Sequence, residues 1–113
     1  MTLYYNAALK YGFHRLIENG SHEVTRMNFL VYEFDAGPQD IIQVTLDKEA
    51  NVRLLDSSNF LKYRNGQQHS YFGGRAKSSP VNLKPPRSAH WYVVVDLGGY
   101  PGSVLASAAK VAA

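Results

Sequence analysis

The chain has 113 residues, no cysteine and no long apolar run. The missing cysteine excludes disulfides, thiolate nucleophiles, iron–sulfur clusters and every zinc site that needs a thiolate. It also favours a reducing compartment, so we expect a cytoplasmic protein. No apolar stretch approaches the roughly 20 residues of a membrane-spanning helix, and the first residues lack the pattern of a signal peptide. The sequence therefore predicts no membrane span.

Acidic residues are missing from one long region, since no carboxylate side chain lies between Ser57 and Val95. Residues 1–56 carry five basic and eight acidic groups, a net charge of −3, whereas residues 57–113 carry seven basic groups and only Asp96, a net charge of +6. This asymmetry predicts an anionic partner for the basic half, or an acidic surface elsewhere on the same fold or on a second copy of it.

The remaining composition is typical of one folded domain. Hydrophobic residues make up 45% of the chain, aromatic residues 12% and charged residues 19%, which is too apolar for a disordered chain. A chain of this length buries about 65% of the surface that its unfolded form exposes. We therefore expect a single core that forms without disulfides or a structural metal.

Alternating apolar residues predict strands from Met27 onward. Residues 42–46 alternate as in a half-buried strand, and Asp47–Ala50 is predicted to be a turn. Residues 52–54 are predicted to be the hairpin partner of this strand, with Arg53 pointing outward. The run His90–Asp96 is β-branched or aromatic and apolar on both faces, which predicts a central buried strand. Pro80–Leu83 is predicted to be an edge strand because the prolines that follow cannot donate to a sheet.

One helical turn interrupts the strands. Asp56 or Ser57 can accept hydrogen bonds from the first backbone N–H groups of a short helix that buries Phe60 and Tyr63. With six to eight short strands around this turn, the sequence predicts an all-β fold, a small antiparallel sandwich or barrel. We expect residues 27–113 to form this domain.

Residues 1–26 differ from the rest of the chain. Their apolar residues recur at roughly helical spacing and predict a short helix, with a stop in the sequence Glu18–Glu23. We interpret them as an N-terminal extension. It could pack on the core, form an oligomer contact, or have no essential part in the fold.

The residue types of a hydrolytic triad occur in the chain. His69 or His90 with Asp96 could act on Ser57 or Ser58, although no nucleophile-elbow motif is present. The alternative interpretation is that His90 caps the central strand and Asp96 ends it with a turn bond. A small hydrolase or nucleotide-processing enzyme is thus an alternative hypothesis, and the lack of catalytic signatures favours a protein that is not an enzyme.

Metal and cofactor motifs are weak. Asp56 and Asn59 resemble calcium-loop oxygen donors, but the acidic spacing of an EF-hand is missing and no two histidines have ligand spacing. Gly73-Gly74 before Arg75 is a candidate anion contact, yet it matches neither the P-loop nor the dinucleotide fingerprint. We therefore predict no metal and no cofactor.

The most suggestive pattern is a set of cations interleaved with aromatic rings in the carboxylate-free region. Cations pair with phosphates or carboxylates, while rings stack on bases, sugars or peptide groups. The candidate ligand-binding residues are Tyr63, Arg64, His69, Tyr71, Arg75, Lys77, Arg87 and His90, with Phe72, Lys84, Trp91 and Tyr92 beside them in sequence. Phe72 and Trp91 are equally candidates for the core.

These residues predict a non-enzymatic binding or interaction module. It would present a basic, aromatic-rich surface to an anionic ligand or a protein partner, and nucleic acid is one such anion, with less support. A structural or oligomerisation module is a further hypothesis.

Several segments together resemble a small bacterial family, the domain-of-unknown-function family 1883. The segments are Asn51–Phe60, Tyr63 with Gly66, Tyr71–Gly74, Pro80, Pro86–Ser88, His90-Trp91 and Val93–Tyr100. The resemblance covers Met27 to the C-terminus, with Ala89 as a departure where glycine is more typical. It implies a compact β-rich domain, joined in some bacterial proteins to a TIR-type domain, and hence a sensing or interaction role. It implies no catalytic residues.

Overall fold

The computed structural model describes residues 29–100 and 102–112 in full, and the backbone of two further strands in the N-terminal extension. The elements, in chain order, are β1 (His14–Glu18), β2 (His22–Met27), β3 (Phe29–Ala36), β4 (Asp40–Leu46), β5 (Ala50–Asp56), α1 (Ser57–Arg64), β6 (Phe72–Ala76), β7 (Val81–Leu83), β8 (Ala89–Asp96) and β9 (Ala106–Ala112).

Strands β3 to β9 form two antiparallel sheets. One sheet has the order β3-β8-β5-β6 and the other the order β7-β4-β9. Alternate residues of both sheets meet in one core, where Ile42, Val44, Val52, Leu54 and Trp91 are almost fully buried. The prediction of an all-β fold with one short helix is therefore confirmed, and the two separate sheets make it a sandwich.

Strand β8 is the central strand of the larger sheet. It pairs with β3 on one side and β5 on the other. Trp91, Val93 and Val95 enter the core between the sheets, while Val94 faces the opposite side of the sheet and is also buried. The prediction of a strand that is apolar on both faces is confirmed.

Helix α1 covers the face of the larger sheet that is turned away from the core, here called the outer face. Asp56 caps the helix, because its carboxylate accepts the backbone N–H of Asn59 at 2.9 Å. Phe60 stacks on Tyr92 with 4.3 Å between ring centroids, and Tyr63 packs edge-on against Phe29. The capping and burial predicted for this turn are confirmed.

The predicted hairpin of residues 42–46 with residues 52–54 is wrong. Strand β4 pairs with β7 and β9, whereas β5 pairs with β6 and β8. Both strands turn their apolar residues to the same core, but from opposite sheets. Alternation indicates which face of a strand is buried and does not indicate its partner.

Strand β7 lies at an edge of the smaller sheet, as predicted for Pro80–Leu83, and it pairs only with β4. The prolines after it end the pairing because they have no backbone N–H.

Part of the N-terminal extension is β structure, in place of the predicted helix. Strands β1 and β2 pair antiparallel with each other. Residues 1–13 lie outside the described residues, so the helix predicted there is not tested. The physical reason is readable in the sequence, since Ile17, Val24 and Thr25 are β-branched and Asn19-Gly20 is a strong hairpin signal.

Candidate functional site

Asp96, the last residue of β8, has a nearly buried carboxylate that accepts hydrogen bonds at both oxygens. Its Oδ1 accepts from the side-chain amide of Asn51 at 2.8 Å and from the backbone N–H of Gly98 at 2.9 Å. Its Oδ2 accepts from the hydroxyl of Tyr63 at 2.6 Å and from the guanidinium of Arg53. These donors compensate for the water that the carboxylate loses beneath α1. The bond from Gly98 is the turn bond predicted for Asp96.

Tyr63 acts as a donor in this arrangement. Burial, followed by the charge of Asp96, raises the pKa of the Tyr63 hydroxyl well above its ordinary value. The hydroxyl therefore stays protonated and cannot serve as a base or a nucleophile near neutral pH.

Two aromatic rings lie near the guanidinium of Arg53. Its Cζ is 5.0 Å from the ring centroid of Tyr71 and 5.7 Å from that of Tyr63. One terminal N–H is bound by Asp96, while the Nε is buried and has no hydrogen-bond partner among the described residues. A guanidinium has five N–H donors, so Arg53 is fixed in position with donor capacity to spare.

The exposed side of this arrangement is aromatic. Tyr71 is 43% exposed, and the ring of His69 lies 5.7 Å from it and 5.3 Å from Tyr63, centroid to centroid. His69 Nδ1 donates to the carbonyl of Gln67 at 2.9 Å, because a carbonyl oxygen can only accept. Its Nε2 has no hydrogen-bond partner among the described residues. We call Arg53, Tyr63, His69, Tyr71 and Asp96 the Arg53 cluster.

Strand β6 leaves one flank of Arg53 without a side chain. Gly73 lies opposite Arg53 in the pairing of β5 with β6, and it is exposed. Its φ is +104°, and a Cβ there would lie 2.4 Å from the carbonyl oxygen of Val52. Only glycine fits this position, so β6 places no side chain opposite Arg53.

His90 lies far from this cluster. It is six residues before Asp96 on β8, or about 20 Å along the strand at 3.3 Å per residue. Its Nδ1 is 2.8 Å from a carboxylate oxygen of Asp35 and its Nε2 is 2.9 Å from one of Glu33. Hydrogen bonds to Asp35 and Glu33 raise the pKa of His90. The predicted pairing of His90 with Asp96 is therefore wrong, and the ring binds strand β3 and does not cap β8.

The other parts of the hydrolase hypothesis do not come together in the described residues. His69 contacts Tyr63, but it makes no hydrogen bond to Asp96, whose oxygens are occupied by other donors. Ser57 and Ser58 begin α1 beside Asp56, at the end of β5 remote from Asp96. In the part of the chain that the structure describes, the predicted serines, histidines and Asp96 are therefore not within hydrogen-bond reach of one another as a triad.

Two of the predicted basic residues form ion pairs with acids of the N-terminal half. Arg75 pairs with Glu49, and Arg87 donates to Asp56 at 2.8 Å while its guanidinium lies over Trp91. The bond from Arg75 lowers the pKa of Glu49, and the backbone N–H of Asn59, followed by Arg87, lowers that of Asp56.

The predicted basic residues do not share one surface. Arg75 lies opposite Asn51 at the start of β5, and Arg87 binds Asp56 at its end, about 17 Å away along the strand. A single basic patch made of the predicted residues is therefore wrong.

The remaining cations are scattered over several elements. Lys62, Arg64, Lys77 and Lys84 have no carboxylate partner among the described residues; two lie on α1, one follows β6 and one follows β7. Arg64 lies 5.8 Å from the ring centroid of Phe60 and packs on the helix. Of the eight predicted residues, the structure brings together only Tyr63, His69 and Tyr71.

Sequence reasoning missed Arg53 and Asn51. Arg53 alternates with two apolar residues, and the alternation correctly turned it away from the core. One signal in the sequence could have found them. Helix α1 was predicted to bury two aromatic residues, and such a helix must pack on a face of the sheet. The outer face, which carries Arg53, could therefore have been predicted to be covered by α1.

No described helix has the length and hydropathy needed to cross a membrane. Among the same residues, no three His, Asp or Glu side chains come together in a way that could hold a metal ion.

A family model described as "Domain of unknown function (DUF1883)" matches residues 27–113. The chain belongs to this family. No curated protein and no solved structure matches it. The DUF1883 region contains the whole Arg53 cluster and both sheets of the sandwich, whereas strand β1 lies outside it.

Proposed function

We propose that this DUF1883 domain is a non-enzymatic recognition module that binds an anionic group of a ligand or protein partner at the Arg53 cluster. The observation that carries the proposal is the buried Nε of Arg53, which has no partner among the described residues although Asp96 fixes the same guanidinium. Guanidinium groups bind carboxylates and phosphates through two parallel N–H bonds. A bacterial cytoplasmic setting is part of the proposal.

The guanidinium of Arg53 is held in place before any ligand arrives. Its side chain is 19% exposed, Asp96 binds one terminal nitrogen, and its Cζ lies over the rings of Tyr63 and Tyr71. An arginine that is already ordered loses little rotamer entropy on binding, so more of the interaction energy contributes to affinity. This supports a binding role for Arg53 beyond its ion pair.

The surroundings of Arg53 favour a ligand with both an anionic group and an apolar or planar part. Tyr71 offers a half-exposed ring, and His69 beside it offers an Nε2 that has no hydrogen-bond partner among the described residues. Gly73, which pairs with Arg53, is exposed and has no side chain. Tyr71 would stack on the ligand when the anion reaches the guanidinium.

Isothermal titration of the full chain tests this proposal. The panel is adenosine monophosphate, a short single-stranded RNA, a sulfated glycan and a glutamate-rich peptide. We expect saturable binding to at least one of them, and weaker binding as salt rises. Binding to none would overturn the proposal.

Variants locate the site. Arg53→Lys keeps the charge and loses the planar fork of the guanidinium, so we expect about tenfold weaker binding. Tyr71→Ala removes the ring that would stack on the ligand, so this variant should also bind more weakly. The matched control is Arg87→Lys, at an arginine that is also stacked on a ring but lies at the other end of β5. Equal losses in Arg53→Lys and Arg87→Lys would contradict the location.

A further inference from the structure

Three connections cross the same end of the sandwich. The first residue of β5 pairs with the last of β6, and the last residue of β4 pairs with the first of β9. Asp96, the last residue of β8, pairs near the start of β5. Residues 47–49 and 77–80, with the described residues 97–100 and 102–105, therefore lie between the two sheets at one end, which we call the loop end.

Hydrogen bonds join the three connections. The backbone N–H of Asp47 donates to the carbonyl of Leu105 at 3.1 Å, and the N–H of Leu105 donates to the carboxylate of Asp47 at 2.8 Å. On the other side, the N–H of Leu46 donates to the hydroxyl of Ser79 at 2.9 Å. Residues 46 and 47 thus bind the other two connections through Leu105 and Ser79, so hydrogen bonds link all three connections of the loop end.

The loop end exposes apolar side chains. Tyr100 is 73% exposed and Leu105 is 62% exposed, more than any other large hydrophobic residue in the described part of the chain. Both lie on the connection 97–105. Side chains this exposed protrude from the surface and do not line a groove.

Lysines accompany these apolar residues on the neighbouring connections. Lys48 and Lys77 are exposed and form no ion pair with a described residue. Glu49 is paired with Arg75, which leaves Asp47 as the one carboxylate of the three connections without a cation partner, and its Oδ1 is bound by the N–H of Leu105. Besides the hydrogen bond from Arg75, the charge of Lys77 contributes to the lowered pKa of Glu49. With Arg75, this end carries three basic side chains and the two carboxylates of Asp47 and Glu49.

We propose that the loop end contacts the surface of an anionic phospholipid bilayer. Tyr100 and Leu105 would enter the headgroup region. There the apolar ring of a tyrosine contacts the acyl chains while its hydroxyl contacts water and headgroups. Lys48 and Lys77 would lie near the lipid phosphates, which attract lysine in a salt-dependent manner. A fluid bilayer accepts protruding apolar groups, whereas a protein partner would need a pocket for each. This proposal is independent of the Arg53 cluster.

Vesicle co-sedimentation of the full chain tests the proposal. The vesicles are pure phosphatidylcholine, and phosphatidylcholine with a quarter phosphatidylserine. We expect more bound protein on the anionic vesicles and a decrease as salt rises. Equal binding to both vesicle types, or binding to neither, would overturn the proposal and leave a protein partner as the candidate for this end.

Exposed side chains can be replaced without disturbing the core. The double variant Tyr100→Ser, Leu105→Ser should bind anionic vesicles about tenfold more weakly, and Lys48→Glu about fivefold more weakly. The matched controls are Leu61→Ser on α1, which is 48% exposed, and Lys84→Glu beyond β7.

Both controls should bind like the unchanged chain. A loss in Leu61→Ser equal to that of the double variant would contradict the location. Arg53→Lys should not change vesicle binding, so failure at the loop end and failure at the Arg53 cluster are separate results.

Discussion

Two ionic clusters lie on the outer face of strand β8, one around Asp96 and one around His90. Both join β8 to a neighbouring strand through side-chain hydrogen bonds. They differ in their exposure to water. The side chain of Asp96 is 9% exposed, because Tyr63 of α1 covers it, whereas His90 and Glu33 are each 39% exposed and Asp35 is 89% exposed.

The comparison shows how cover by helix α1 changes the contribution of an ionic cluster to stability. In water, an ion pair gains little, because solvent screens the charges and the side chains lose freedom. Beneath a helix, a lost partner leaves a charge without compensation, and the cost is several times larger. In the Arg53 cluster, the carboxylate of Asp96 therefore holds Arg53 and Tyr63 in fixed positions. That fixation makes Arg53 suitable as a binding group.

The largest expected effect comes from removing the buried acid. Asp96→Ala leaves the Arg53 guanidinium without its carboxylate and Tyr63 without an acceptor. We expect the free energy of unfolding to fall by about 3–5 kcal/mol, measured by urea denaturation. The matched control in the exposed cluster is Asp35→Ala, which should cost less than about 1 kcal/mol. Equal losses would contradict the comparison.

A smaller effect isolates one hydrogen bond of the buried cluster. Tyr63→Phe keeps the ring against Phe29 and removes only the hydroxyl that donates to Asp96. Because the acceptor is charged, we expect a loss of about 1.5–3 kcal/mol in the free energy of unfolding. Tyr71→Phe is the control, since its hydroxyl makes no hydrogen bond with a described residue. If the two variants lose the same free energy of unfolding, the hydrogen bond from Tyr63 to Asp96 does not stabilise the fold as we expect.

The smallest effect is the pH dependence of the exposed cluster. The folded-state pKa of His90 is raised by Asp35 and Glu33 above its ordinary value. This contribution to stability is therefore complete below the unfolded pKa of about 6.5 and is lost as pH rises through the folded pKa. Solvent screening keeps it below about 1 kcal/mol.

Urea denaturation at a series of pH values measures this slope. His90→Gln should remove the part of the slope that lies between the unfolded and folded pKa values. An unchanged slope in that variant would show that other groups produce it.

The sequence predicted the elements of the fold better than their arrangement. Alternation at residues 42–46, the apolar run His90–Asp96 and the capping Asp56 were all read correctly, because each is a local signal. The pairing partners of β4 were not predicted correctly, because strand pairing within each sheet depends on contacts between residues far apart in the chain.

The site was harder to predict for a related reason. The sequence shows how many cations the region 57–95 contains, but it does not show which acids lie opposite them. Glu49, Asp56, Glu33 and Asp35 come from the acidic half and bind Arg75, Arg87 and His90. Arg53 lies outside the region that composition singled out, and only the placement of α1 and β6 distinguishes it from an ordinary exposed arginine.

The most direct test of the central claim follows the Nε–H of Arg53 itself. In a full chain labelled with nitrogen-15, its NMR signal is assigned by its disappearance in Arg53→Lys, and the chain is titrated with inorganic phosphate and with a glutamate-rich peptide. The account predicts a saturable shift of the Arg53 signal at lower concentration than any shift of Arg75 or Arg87. An Arg53 signal that stays fixed while those of Arg75 and Arg87 move would contradict it.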